Sequence, residues 1–255
     1  MKIIISPAKK MNIDCDSLPV LTQPVFMDRA VQLRARLKAM SYEELKKLWK
    51  CNDSIAAQNV ERLANLELNR NQTPAILAYE GIQYQYMAPG VFTDQELEYI
   101  QQHLRILSGL YGVLRPFDGV IPYRLEMQAK LSADGHKDLY SYWGSCIAEE
   151  LCHDEELIID LASKEYSMCV SRHLPEGVRL ITCVFGEEKD GKIIEKGTMC
   201  KMARGEMVRF MAENNVRDVE RIKDFSAQGY RYSEEYSDKD KYVFILEKKP
   251  KGDEW

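Results

Sequence analysis

Two arginines and a glutamate lie in a segment rich in glycine and proline, ILSGLYGVLRPFDGVIPYRLEM, residues 106–127. The planar guanidinium of Arg115 or Arg124 suits phosphate or carboxylate oxygens, and Glu126 could transfer a proton. The glycines permit tight turns and the prolines interrupt regular structure, so the segment is expected to present charge to a ligand. The alternative is internal, because in an extended chain Arg124 and Glu126 share a face and can pair with each other.

Further cations stand where a ligand could be held. Lys9 and Lys10 follow the first predicted strand, and α/β proteins bind ligands at the carboxyl ends of strands. In the segment KGTMCKMARGEMVRF, Lys201 and Arg204 share one helical face, and Arg209 lies further along. Solvated lysines and an amphipathic surface helix are the alternative. A binding surface requires that these cations converge in space with Arg115 and Arg124, without carboxylate partners.

Residues 41–62 predict two helices that follow one another across a very short joint. Ser41 and Glu44 match a capping box, and Asn52 or Asp53 can cap the second helix. The arrangement resembles the helix-hairpin-helix element of DNA repair proteins, in which backbone N–H groups hold a phosphate, with Lys50 and Asn52 as candidate DNA-binding residues. An ordinary helical hairpin is the alternative, because the joint KCND lacks glycines and Asp53 would repel a phosphate.

Strands and helices interleave along the chain, and both are needed to position these residues. Strands are predicted at residues 2–5, 73–81, 105–108, 156–162 and 241–249, with a hairpin over 178–196 that turns at Asp190-Gly191. Helices are predicted at residues 27–40, 41–50, 52–68, 93–104, 137–151, 163–171 and 198–215. The pattern predicts an α/β (α+β) fold, a single compact domain over residues 1–255 with a mixed sheet and at least one antiparallel hairpin.

Composition narrows the function further. A net charge of −5 over 255 residues disfavours a protein that binds polyanions over its whole surface, but it permits a local basic cleft. The seven cysteines are scattered and the four histidines lack zinc-ligand spacing, so we expect reduced thiols, no metal and no cofactor. The sequence has no P-loop, GxGxxG, GxSxG or HExxH motif, and no catalytic motif is identified. The strand-like start, too short for a signal peptide, and the lack of a long apolar run predict a cytoplasmic protein.

Four segments, IIISPAKKM, ILSGLYGVLRPFDGVIPYRLEM, LIIDLASKEY and KMARGEMVRF, together resemble the YaaA family of peroxide stress resistance proteins. They stand in the family's order, and the resemblance covers essentially the whole chain. It implies a cytoplasmic protein of unusual α/β fold that limits free iron and hence Fenton damage to DNA. It also implies DNA binding through a basic cleft that includes a helix-hairpin-helix-like element, with no cofactor and no established reaction.

The sequence therefore predicts a DNA-binding stress protein that contacts double-stranded or branched DNA mainly through its phosphates. The candidate DNA-binding residues are Lys9, Lys10, Lys50, Asn52, Arg115, Arg124, Lys201, Arg204 and Arg209. The alternative is an enzyme acting on a nucleotide or damaged base, which a pocket enclosing Arg124 and Glu126 would favour. No membrane and no protein partner is expected, and the scattered cysteines and histidines disfavour direct iron binding.

Overall fold

A mixed β-sheet forms the centre of the computed structural model, which describes residues 1–65 and 67–247. The strands are β1 (Lys2–Ile5), β2 (Lys10–Met11), β3 (Thr73–Pro74), β4 (Tyr79–Glu80), β5 (Leu104–Ser108), β6 (Gly112–Leu114), β7 (Gly119–Val120), β8 (Leu157–Leu161), β9 (Arg179–Lys189), β10 (Lys192–Ile194), β11 (Tyr230–Tyr232) and β12 (Lys241–Leu246). The main sheet has the order β11-β12-β9-β8-β1-β5-β6, and β10 pairs with β9. Neighbours from β12 to β5 are parallel, whereas β6, β10 and β11 are antiparallel to their partners.

Helices and short 3-10 turns surround this sheet and share its hydrophobic core. The helices are α1 (Met27–Lys38), α2 (Tyr42–Trp49), α3 (Asp53–Ala64), α4 (Ala75–Ala78), α5 (Ile82–Met87), α6 (Asp94–His103), α7 (Leu139–Trp143), α8 (Cys146–Cys152), α9 (Lys164–Ser171) and α10 (Gly197–Glu213). The 3-10 turns span Pro89–Val91, Val219–Asp224 and Ala227–Gly229. Strand β1 lies deepest: Ile3, Ile4 and Ile5 are fully buried, as expected for a parallel strand covered on both faces.

Several predicted elements are confirmed, because their signals are local. Both predicted capping boxes form, Ser41 with Glu44 before α2 and Thr93 with Glu96 before α6. The Asp190-Gly191 turn joins β9 to β10 with positive φ at both residues, as a tight hairpin requires. The α/β class with a mixed sheet is therefore confirmed. Residues 66 and 248–255 of the predicted domain, including the end of the strand predicted to 249, lie outside the described residues.

Two predicted elements are wrong. The strand predicted over residues 73–81 is instead β3, the helical turn α4 and β4, because its two ends pair with different partners, β7 and β2. The helix predicted over residues 137–151 is divided into α7 and α8 at Gly144, whose φ of 50° leaves the helical region. The first prediction fails because of pairing with distant strands, and the second because of a glycine within the helical pattern.

The predicted helix-hairpin-helix element is not confirmed as a phosphate-binding device. Helices α2 and α3 do follow one another across a short joint, with Lys50 in the left-handed region. The side chain of Asn52 already accepts the backbone N–H of Ile55, which is one of the donors that a phosphate would need. Asp53 forms an ion pair of 2.6 Å with Lys46 and places a negative charge at the joint. The observed contacts are those of an ordinary helical hairpin.

The order of strands creates a topological switch point at the carboxyl ends of β1 and β8. Strand β1 pairs with β5 on one side and with β8 on the other, and the chain leaves β1 and β8 in opposite directions. Open α/β sheets bind ligands outside the carboxyl ends of strands at such a switch of direction. The loops after β1 and β8 begin at Ser6 and Ala162.

Candidate functional site

A pocket with a volume of about 560 Å³ opens at the carboxyl ends of β1 and β8. The two strand ends are tied together, because the hydroxyl of Ser6 accepts the backbone N–H of Ser163 at 2.8 Å and lies 3.1 Å from its side chain. The hydroxyl of Tyr84 on α5 donates to the carbonyl of Ser6 at 3.0 Å. The pocket therefore rests on the centre of the sheet, and its volume falls in the range of small-molecule sites.

One wall of the pocket is the end of the glycine-rich segment. A Cβ on Gly109 would lie 2.3 Å from the carbonyl oxygen of Leu125. Only glycine therefore lets the backbone at residue 109 approach the backbone at residue 125 so closely. Arg124 donates to Glu126 at 3.2 Å, and both side chains are 12% exposed. Lys9 reaches the same carboxylate oxygen of Glu126 at 3.3 Å. The internal pair expected as the alternative is thus present, and the pocket encloses it.

The opposite wall is formed by α5 and α10, which cross in direct backbone contact. A Cβ on Gly205 would lie 2.2 Å from the carbonyl oxygen of Gln83 and 2.9 Å from the nitrogen of Met87. This contact places Gln83 beside Arg204, and both side chains line the pocket together with Lys201. The glycine at residue 205 therefore positions the neighbouring arginine against α5.

Three of the side chains that line this pocket each carry a buried nitrogen atom that lacks a hydrogen-bond partner among the described residues. They are Nε2 of Gln83, Nε of Arg124 and Nε of Arg204. Gln83 is only 7% exposed, and a buried donor without a partner costs about 1 to 3 kcal/mol. Six such atoms occur in the part of the chain that the structure describes, and half of them belong to residues that line this one cavity.

Carboxylates share the pocket with the cations. Glu165, in the first turn of α9, accepts the backbone N–H of Gln128 at 3.1 Å. Burial raises the pKa of Glu165, and the negative charge of Glu126 raises it further. Glu80 also lines the pocket and pairs with the exposed Lys10 at 2.6 Å. The pocket therefore combines cations with a carboxyl group that favours its protonated form more than a free glutamate does.

A group of buried tyrosines supports the pocket from below. The hydroxyl of Tyr123 lies 2.8 Å from that of Tyr79 and 2.6 Å from that of Ser108. Burial raises the pKa of Tyr123 to about 12, so the hydroxyl stays protonated at neutral pH. The ring of Tyr166 also lines the cavity and is largely buried. These aromatic side chains add apolar surface to a pocket that also carries cations.

The structure brings together five of the nine predicted site residues. Lys9, Lys10, Arg124, Lys201 and Arg204 line the pocket, although they are separated by almost two hundred positions in the sequence. The pocket lining does not include Lys50, Asn52, Arg115 or Arg209. Arg115 instead pairs with the buried Asp118 at 3.4 Å, and Arg209 pairs with Glu213 on its own helix at 2.7 Å.

The expectation of cations without carboxylate partners does not hold. Five of the seven lysines and arginines that were expected to converge form internal ion pairs: Lys9, Lys10, Arg115, Arg124 and Arg209. Within the described residues, Lys201 and Arg204 form no ion pair. The surface is therefore a pocket of mixed charge and not an open cationic cleft.

Sequence reasoning missed the contribution of α5. Gln83 and Tyr84 follow residues 73–81, which local pattern assigned to a strand, and no motif marks them. The available signal was a glutamine among the apolar and aromatic residues of GIQYQYM, an unusual residue to bury.

Metal-binding clusters and membrane-spanning helices are both absent from the described parts of the chain. Over residues 1–65 and 67–247, no group of three or more histidine, cysteine, aspartate or glutamate side chains is placed to hold a metal ion. None of the helices described in the same ranges is long and apolar enough to cross a membrane.

Comparison with known proteins gives matches over nearly the whole chain. A family model described as "Peroxide stress protein YaaA" matches residues 1–236. The UPF0246 protein DSY0297 of Desulfitobacterium hafniense (strain Y51) is 54% identical over 96% of this chain and 98% of its own length. UPF0246 proteins of Lachnoclostridium phytofermentans and Pediococcus pentosaceus are 54% and 51% identical over 96% of this chain, and over 96% and 98% of their own lengths.

Proposed function

Because the chain belongs to the peroxide stress protein YaaA family, we propose that it acts in the cytoplasm by binding DNA and limiting iron-dependent damage during peroxide stress. The observation that supports DNA binding is that Lys201 and Arg204 line the pocket and form no ion pair within the described residues, in a chain whose net charge is −5. The pocket's other cations already pair with Glu126 or Glu80, so an anionic ligand would offset the charge of Lys201 and Arg204.

The exposed cations of the pocket would hold the DNA. Lys9 and Lys10 have side chains that are 67% and 74% exposed, and Lys201 is also exposed. The exposed Lys10–Glu80 pair contributes little to stability, so Lys10 can exchange Glu80 for a phosphate at low cost. Glu126 keeps Arg124 as a partner when Lys9 leaves it for a phosphate. The proposed footprint is small: three lysines at the mouth of the pocket, contacting the backbone and giving weak sequence preference.

The salt dependence of duplex binding tests this proposal. Each phosphate neutralised on duplex DNA contributes about −0.9 to the slope of log K against log salt, so three lysines predict a slope of about −2.7. Lys201→Ala should reduce the slope to about −1.8 and weaken binding to every sequence about equally. Lys192→Ala, which removes an exposed lysine from the β9–β10 hairpin outside the pocket, is the matched control. Absent binding, or a slope that Lys201→Ala and Lys192→Ala change equally, would contradict the proposal.

A second candidate function is favoured by one specific observation, the pocket that encloses Arg124 and Glu126. An enzyme acting on a nucleotide or a damaged base would use Arg124 to hold the ligand and Glu126 to transfer a proton. Incubation of the protein with nucleotides and with DNA that carries oxidised bases, followed by chromatography, would detect a product. Product formation that Glu126→Gln abolishes, while the variant still binds DNA, would establish the enzyme in place of the simple binder.

A further inference from the structure

The interior of the pocket differs from its mouth in the kind of contact that it offers. The lysines at the mouth are exposed, whereas the side chains of Gln83 and Arg124 are 7% and 12% exposed. Their unpartnered nitrogens, with Nε of Arg204, are all hydrogen-bond donors. A site whose unsatisfied groups are all donors calls for a ligand that supplies acceptors.

We infer that Gln83, Arg124 and Arg204 form an oxyanion subsite for the phosphate of a phosphate monoester. This inference rests on the pocket being the binding site proposed above, and it names the chemical group that enters. A monoester carries three terminal oxygens, so it can accept hydrogen bonds from all three of these side chains. A diester of the DNA backbone offers two, and both of its sugars must leave through the same mouth.

The charge of the pocket agrees with this ligand. Its lining contains five cationic side chains, Lys9, Lys10, Arg124, Lys201 and Arg204, and three carboxylates, Glu80, Glu126 and Glu165. The formal excess is two positive charges, and a phosphate monoester carries about −1.5 to −2 at neutral pH. A carboxylate ligand, with a single charge and two oxygens, would leave one donor and one positive charge unmatched.

The remaining volume accommodates more than the phosphate itself. A cavity of about 560 Å³ is several times larger than a phosphate group, and Tyr84, Tyr123 and Tyr166 line it. Aromatic side chains provide flat surfaces on which a nucleobase can stack. The ligand class is therefore a nucleoside monophosphate, either free or at the phosphorylated end of a DNA strand, which share the same chemistry.

Calorimetric titration with AMP, with adenosine, and with oligonucleotides that carry either a terminal phosphate or a hydroxyl tests the inference. The protein should bind AMP more tightly than adenosine by roughly 10- to 100-fold, the value of hydrogen bonds to a charged group. Gln83→Leu should weaken the binding of AMP by a similar factor. Arg209→Gln, on the same helix as Arg204 but outside the pocket, should leave AMP binding unchanged. Tighter binding of the oligonucleotide with a terminal phosphate than of the one with a terminal hydroxyl would show that the phosphorylated end of a DNA strand can supply the ligand.

A second measurement separates a ligand-binding role of Gln83 from a structural one. Without ligand, Gln83→Leu removes a buried donor that lacks a partner, so the unfolding temperature should stay the same or rise. Loss of stability in Gln83→Leu, equal affinity for AMP and adenosine, or AMP binding that Gln83→Leu leaves intact would overturn the inference. Lysine-dependent duplex binding without AMP binding would refute this subsite alone. AMP binding without duplex binding would refute the DNA-binding proposal alone.

Discussion

Replacing Gly205 with alanine tests whether the contact between α5 and α10 builds the pocket. The new Cβ would lie 2.2 Å from the carbonyl oxygen of Gln83 and 2.9 Å from the nitrogen of Met87, both backbone atoms that cannot rotate away. The two helices would have to separate, which moves Gln83 and Arg204 apart. The perturbation is therefore a small change in volume with a defined geometric consequence.

The expected loss of stability follows from two opposing effects. Overpacking costs about 1 to 3 kcal/mol, and the better helix propensity of alanine returns up to about 1 kcal/mol. A net loss of about 1 to 2 kcal/mol lowers the unfolding temperature of a domain of this size by roughly 2 to 8 °C. The affinity for AMP should fall as well, because two of the three donors shift.

Gly197→Ala provides the matched control in the same helix. A Cβ at Gly197 meets nothing within 4 Å, so this substitution should stabilise the protein by about 0.4 to 1 kcal/mol. Calorimetric or urea unfolding of both variants measures the difference directly. If Gly205→Ala is as stable as Gly197→Ala, the close contact of the two helices does not constrain the pocket and the reasoning is refuted.

Three further predictions concern the wall, the carboxyl group and the hairpin. The Cβ of Gly109→Ala would lie 2.3 Å from the carbonyl of Leu125. This substitution should therefore lower the stability by about 1 to 3 kcal/mol and also lower the affinity for AMP. Unchanged thermal unfolding would contradict this prediction. Because burial raises the pKa of Glu165 above 4.5, the native state holds this proton longer than the unfolded state, and the free energy of unfolding falls as pH rises from 4.5 to the raised pKa. Glu165→Gln should remove that part of the decline. Urea unfolding at several pH values measures this, and a free energy of unfolding that falls with pH equally in Glu165→Gln and in the unchanged protein would contradict the prediction. Asn52→Ala should destabilise the protein by about 1 kcal/mol through loss of the cap on Ile55 and leave duplex binding unchanged; weaker DNA binding would restore the helix-hairpin-helix interpretation.

The elements that could be predicted from the sequence are those whose signals lie within a few residues. The capping boxes at Ser41 and Thr93 and the turn at Asp190-Gly191 specify backbone conformation locally, and all three form as expected. The apolar run Lys2–Ile5 likewise specifies a strand buried on both faces. Local chemistry therefore accounts for the α/β class and for most element positions.

The details of the site could not be predicted, because they depend on contacts between distant parts of the chain. Nothing near Gln83 indicates that Gly205 lies against its carbonyl, since more than a hundred residues separate them. Spacing on α10 assigned Lys201 and Arg204 to one helical face, and both line the pocket, whereas Arg209, which was expected to join them, pairs with Glu213. The type of a charged residue gives its chemistry, whereas its partner is decided by the tertiary fold.

The position of β1 between β5 and β8 has a consequence for how the protein is made. Ile5 pairs with Ile106 and Leu161, so its second neighbour emerges from the ribosome roughly 150 residues after it. At about 5 to 20 residues per second, this strand waits for approximately 8 to 30 s with at least one hydrogen-bonding edge open. An apolar strand with an open edge is prone to pairing with other chains. Nascent chains that stop before residue 157 should therefore aggregate, and the pocket becomes complete only after α10 has been synthesised.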